Sequence, residues 1–288
     1  EILSGAGGAY HAHCQSGARA RPISCLCVKE LPEEGSAAVD DTQKPKDDKI
    51  GFVESLKLLI SNKYYILIVA IYIVYYFMSN LTTGSAIYFM KHVLGNGSLL
   101  GLFSMMKMFP VIIALIFTPI LVKKTGSMQK VNFWGYVISD ILGIFLIIFA
   151  MQKNLPMMLL FMFLKGTFAG TMSGTLNALI AEISGYTYRT KGVHIDGMMF
   201  SCSSLGVKVG GGIGTAAVGW LLHAAGYAGK AATQTVAATN MIFSMYITIP
   251  VILGVVITIL LGLMKVEKEN KRIDMERAEQ ADLFPCIA

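Results

Sequence analysis

The chain has 288 residues, 54% of them hydrophobic and only 15% charged, with a formal net charge of +6. A soluble domain carries about 25% charged residues, so a mean hydropathy of +0.59 argues against a water-soluble enzyme, and the positive balance reads as membrane topology rather than as a nucleic-acid surface. HExxH, GxSxG, P-loop and GxGxxG motifs are missing in suitable contexts, which argues against an enzyme and against an ATP-driven pump subunit with its own motor.

Residues 1–27 are rich in Gly, Ala, His, Arg and Cys and lack apolar periodicity. They read as a disordered or non-native segment, such as an out-of-frame translation of upstream coding sequence. His11, His13, Cys14, Cys25 and Cys27 fit no zinc spacing, and no metal site is expected there. Residues 28–63 form a charged linker that ends in IGFVESLKLLI (Ile50–Ile60), a short amphipathic helix expected at the membrane surface.

Residues 64–264 hold the apolar stretches. Spanning a bilayer takes about 20 mostly apolar helical residues. Tyr64–Met90, Leu99–Val122, Val131–Met151, Pro156–Ala181, Ile195–Ala225 and Met241–Met264 meet that length. Each must satisfy its own backbone hydrogen bonds in lipid, which makes helices the default, and the alternation of a barrel strand is absent. The expected fold class is therefore an all-α membrane protein with six transmembrane helices, followed by a cytoplasmic tail over residues 265–288. Lys and Arg gather on one side, at Lys57, Lys123, Lys124, Lys130, Arg189 and Lys191 and along the tail, while Lys91, Lys153 and Lys230 lie on the other. The positive-inside rule then puts both ends of the six-helix unit in the cytoplasm.

Several spans carry polar groups. The first holds Tyr72, Tyr75, Tyr76, Asn80, Thr82 and Thr83 around an expected break at Ser79–Asn80, which suits stacking on a sugar or ordinary packing. Lys107, Asp140 and Lys165 fall in the second, third and fourth spans, at a depth where charge usually faces a cavity or a partner. The fourth span also places Asn177 about one turn from Glu182, where a buried amide bonds a neighbouring helix or a ligand. In the fifth span, a rotation of about 100° per residue puts Ser201, Ser204, Lys208 and Thr215 on one stripe. Gly206, Gly210 and Gly214 fall on the opposite face, suited to close helix packing. Lys208 either lines a water-filled pathway or pairs with Asp140. Pro110, Pro119 and Pro250 permit kinks.

Four stretches carry a family likeness: AIYFMKHVLGNGSL (Ala86–Leu99), PILVKKTGSMQK (Pro119–Lys130), AEISGYTYRTKGVHIDGMMFS (Ala181–Ser201) and VKVGG (Val207–Gly211). Together they resemble the major facilitator superfamily, and within it the melibiose-permease-like glycoside–pentoside–hexuronide:cation symporters, over the C-terminal half only. Glu182, Gly185 and His194 depart from the residues usual there, and Lys107 and Asp140 have no family counterpart. The resemblance implies one six-helix half of a facilitator fold in a cell membrane, plasma or inner, inactive alone and completed by a missing N-terminal half. It implies a sugar or glycoside substrate between the halves, membrane lipid around them and no nucleic acid. No tightly bound cofactor is implied, and the coupling cation, Na⁺ or H⁺, is held mainly by the absent half. Of the residues present, the resemblance points to Lys208 and Ser204, with Ser203 and Asn177 beside them, and to a gating loop with Glu182, Tyr186 and Arg189. Ser201 and Asp140 join the pathway on the residue pattern alone. Two other readings stay open: a non-transporting six-span scaffold or sensor, and a half-size transporter that dimerises through the glycine face.

Overall fold

The computed structural model describes residues 52–192, 196–229, 231 and 233–283. The reading of residues 1–27 and the positions of Lys230 and His194 lie outside the described residues.

Helix α1 (Phe52–Ser61) leads into α2 (Lys63–His92) through Asn62. The Asn62 side chain accepts from the Tyr64 N–H at 3.0 Å and donates to Thr187 Oγ1 at 2.9 Å, so it starts one span and ties it to the end of another. At about 1.5 Å per residue, the 30 residues of α2 exceed the bilayer core of about 30 Å. The expected break at Ser79–Asn80 does not occur, because the polar side chains there close onto their own helix. Asn80 donates to the Tyr76 carbonyl at 2.9 Å, and the Thr82, Thr83 and Ser85 hydroxyls donate to carbonyls four residues back, which leaves the backbone ladder intact.

Helix α3 (Leu99–Thr125) ends at Gly126, whose φ of 62° is the left-handed conformation that glycine adopts without strain. Ser127 then caps α4 (Met128–Met151). The fourth span is split into α5 (Leu155–Ala169) and α6 (Thr171–Lys191). The split falls where α3 crosses: a Cβ on Gly170 would lie 2.8 Å from the Ala114 Cβ. Helix α7 (Asp196–Ala224) is the fifth span. The sixth comprises α8 (Val236–Phe243), a π-helical turn (Ser244–Thr248) and α9 (Ile249–Leu263). The wide turn ends two residues before Pro250, which has no N–H to give the α-helical ladder. Among the described residues, six helical segments are long and apolar enough to cross a membrane, and the chain is a multi-pass membrane protein. Met108, Ile116, Trp134 and Trp220, each more than 60% exposed, form the kind of apolar exterior that lipid covers.

The stretch read as a tail contains a further helix, α10 (Val266–Leu283), which closes one end of the bundle. Glu267 is buried and accepts from Ser127 Oγ and from the Gln129 N–H at 3.0 Å, so a carboxylate sits on the N-terminus of α4. Asn270 donates to the Glu182 carbonyl and carboxylate at 2.9 Å each, and Lys271 to the Gly126 carbonyl at 2.7 Å.

Candidate functional site

Helix α2 sets the site, since its polar face meets α3, α6 and α7. The Tyr72 hydroxyl donates to Asn177 Oδ1 at 2.9 Å, and the Tyr75 hydroxyl lies 2.7 Å from Ser173 Oγ. Tyr76 stacks on Tyr72 with ring centroids 6.0 Å apart and meets Tyr75 edge-on. About two turns further along α2, Lys107 of α3 donates to Thr83 Oγ1 at 2.7 Å. Between these helices lies a cavity of about 170 Å³ whose polar lining includes Tyr75, Ser79, Lys107, Tyr136, Lys165 and Ser173. Met158, Met162 and Pro250 supply apolar wall. Such a mix of apolar surface with a few placed hydroxyls and charges is the usual make-up of a small-molecule site.

Helix α7 packs on α2 through its glycines. A Cβ on Gly206 would lie 3.3 Å from the Tyr72 Cβ and one on Gly214 2.6 Å from the Phe77 carbonyl, while one on Gly210 would fall on the Ile73 carbonyl. The spacing of four read from the sequence is thus a packing face. It is filled from within the chain, so a dimer interface built on these glycines is ruled out.

The opposite face of α7 presents Ser201, Ser204, Lys208 and Thr215, all exposed. The three hydroxyls donate to carbonyls of their own helix, at Gly197, Phe200 and Gly211. Ser203 points elsewhere, being buried and bonded to the Met199 carbonyl at 2.7 Å. This exposed face adjoins the edge of α2: a Cβ on Gly211 would lie 3.2 Å from Asn80 Nδ2. The exposed or half-exposed polar groups Tyr76, Asn80, Thr83, Lys107, Asn177 and Lys208 thus sit on helices joined through α2.

Two expectations change. Asp140 does not join Lys208; its Oδ2 accepts from Thr258 of α9 at 2.7 Å, and the charge that acts on it is Lys165, which does not pair with it directly. Residues Glu182, Tyr186 and Arg189 do not form a loop, because α6 continues to Lys191. Within that helix Tyr186 packs edge-on against Tyr64 at 5.1 Å, and Arg189 pairs with Asp274 of α10 at 2.7 Å. The sequence reading missed Tyr136, Ser173 and Thr258. Tyr136 lies four residues before Asp140 on the same helix face, a spacing that was available as a signal.

The family model for MFS/sugar transport proteins matches residues 23–268. A provisionally named glycoside/cation symporter, YagG, of Escherichia coli (strain K12) is 24% identical over 241 residues, 82% of this chain and 52% of that relative. The isoprimeverose transporter of Lactiplantibacillus pentosus is 25% identical over 225 residues, 77% of this chain and 46% of the relative. The chain therefore spans about half the length of these two curated relatives.

Proposed function

The chain belongs to the MFS/sugar transport protein family, and we propose that it forms the C-terminal half of a carrier that brings a sugar or glycoside across a plasma or inner membrane together with a cation. The observation that carries this reading is the polar face from Asn177 through Tyr76 and Asn80 to Lys107 and Lys208, exposed along spans whose outer faces also carry large apolar side chains such as Ile116 and Trp134. An ammonium group is costly at membrane depth unless water, a carboxylate or a ligand compensates it. Lys208 is compensated when a second six-helix half covers this face and encloses water and substrate. Facilitator halves are related by an axis along the membrane normal, with the substrate site between them.

In that arrangement Tyr76 offers a ring face to the apolar side of a sugar, and Asn80, Asn177 and Ser204 lie within reach of its hydroxyls. Lys208 supplies a charge close to the substrate and to the coupling cation, Na⁺ or H⁺, whose carboxylate ligands lie mainly on the other half. Membrane lipid surrounds the remaining faces. Both ends of the six-helix unit are cytoplasmic, and the chain alone is inactive.

Radiolabelled glycoside uptake tests this. Vesicles containing this chain with a six-helix partner half should accumulate substrate under an imposed Na⁺ or proton gradient. Vesicles containing this chain alone should not. Accumulation by the chain alone would replace the half-carrier reading with the half-size transporter, and uptake at the empty-vesicle level with the partner half present would end the transport reading.

A further inference from the structure

Asp140 is a carboxyl group within a membrane span and is 8% exposed. Thr258 satisfies Oδ2, but Oδ1 has no hydrogen-bond partner among the described residues. One turn away on α4, Tyr136 is 2% exposed and its hydroxyl is likewise unpartnered. Burying a polar atom without a partner is costly in an apolar setting, and native interiors leave few such atoms. With Asn132 Oδ1 a further turn back, three such atoms lie on one face of α4, and the pair at Tyr136 and Asp140 lies next to the charge of Lys165.

Lys165 supplies the nearest charge. Its side chain runs along α4, with Cε 3.2 Å from where a Cβ on Gly143 would be, one turn from Asp140, so its ammonium lies near the Asp140 carboxylate without pairing directly with it. Lys165 and Tyr136 line the cavity described above, whereas Asp140 lies behind them. The lysine therefore has a carboxylate on one side and the cavity on the other.

We propose that Asp140 is a binding site for the coupling proton within this half, and that Lys165 alternates between the Asp140 carboxylate and a substrate in the cavity. The coupling role rests on the carrier reading above; the proton site itself does not. In the unloaded state the Lys165 ammonium balances the Asp140 carboxylate. A proton from the outer water forms an O–H bond at Oδ1 and leaves a neutral carboxyl group that still accepts from Thr258. The ammonium keeps its protons and turns an N–H to a substrate hydroxyl. On the inner side substrate departs, the O–H bond breaks, the proton passes to inner water and the ammonium again balances the carboxylate. One positive charge then crosses with each neutral sugar.

Geometry favours a proton over a metal cation. A Cβ on Gly254 would fall on Asp140 Oδ1, so α9 packs directly against the carboxylate and leaves little room. The neighbouring ammonium also repels a metal ion. Around Asp140 the titratable and charged groups are Tyr136 on its own helix, Lys165 from α5 and, through Tyr136, Tyr75 from α2. The π turn contributes Tyr246, α3 contributes Lys107 across the cavity, and α9 contributes the neutral Thr258.

Infrared difference spectroscopy of the purified chain in lipid nanodiscs tests the proton site without any transport assay. Acidification should produce the carbonyl band of a buried protonated carboxyl group, and Asp140→Asn should remove that band. Lys165→Met should show the band already at neutral pH, because the charge that holds the carboxylate is gone. Identical spectra for wild type and Asp140→Asn at every pH would overturn the site, and a Lys165→Met spectrum matching wild type would overturn the lysine's role. Asn keeps the acceptor for Thr258, so the substitution spares that contact. With the partner half present, Asp140→Asn should abolish the dependence of uptake on an imposed proton gradient, and retained dependence would overturn the coupling step. No uptake by wild type would count against the carrier reading while the infrared result still judges the proton site.

Discussion

Lys208 and Asp140 show what one helix discloses about its own residues and what it withholds. The stripe of Ser201, Ser204, Lys208 and Thr215 follows from helical rotation alone, and in the structure these residues share an exposed face. Because their hydroxyls already donate to backbone carbonyls, the Lys208 ammonium is the strong donor that this stripe offers a ligand. A hydrogen bond to a charged group contributes about 1.5–3 kcal/mol. Lys208→Ala should therefore lower coupled uptake by about tenfold or more, at 1.4 kcal/mol per decade, while leaving membrane insertion and yield unchanged. Lys208→Arg should fail as well, since a planar fork does not replace a compact ammonium. Wild-type uptake by Lys208→Ala, with expression measured alongside, would exclude a role in transport. The partner of Asp140 could not be read in the same way. Periodicity places a side chain on a face of its helix, but which helix meets that face is decided by packing, and here Thr258 lies 118 positions away in the chain.

At the scale of elements, the apolar spans were legible because length and hydropathy are properties of contiguous sequence, and their interruptions were not. Asn80 looked like a breaker, yet its side chain bonds back to Tyr76 and α2 runs through. Gly170 did not look like one, yet α5 gives way to α6 there because Ala114 of α3 presses against it. The glycines of α7 were legible as a small-residue face and not as to partner, which proves to be α2. Their contacts predict opposite outcomes for neighbouring positions. A leucine at Gly210 would drive its Cβ into the Ile73 backbone, which cannot move aside as a flexible side chain can. Gly210→Leu should destabilise the protein by at least about 1–3 kcal/mol, the usual cost of overpacking, and lower both yield and melting temperature in detergent. Gly212→Leu, where a Cβ meets nothing within 4 Å, should leave melting unchanged. Equal melting of the two variants would show that the α2–α7 contact does not set stability.

At the scale of the whole molecule, the distribution of charge and the hydrogen bonds divide the loops in the same way. Lys271 reaches the Gly126 carbonyl, Glu267 holds Ser127 and Gln129, and Arg189 pairs with Asp274, so α10 gathers the α3–α4 turn and the end of α6 at one end of the bundle. That end carries Lys123, Lys124, Lys130, Lys191, Lys265 and Lys268. The other end joins the turn after α2 to the turn after α7 through the contact of His92 with Tyr227 at 3.1 Å, and Lys91 and Lys153 belong to that side. Lys and Arg near span ends concentrate in the cytoplasm, so the α10 end should face inward. The test is to place single cysteines in a cysteine-free background, Lys123→Cys at one end and Lys153→Cys at the other, and to treat intact cells with a membrane-impermeant maleimide. Both residues are exposed, so neither cysteine is shielded by packing, and accessibility reports sidedness. The cysteine at 153 should label in intact cells, and the one at 123 only after the membrane is opened. Labelling of position 123 from outside would invert the molecule. It would also put the α10 latch, with its buried Glu267, on the face where solutes enter.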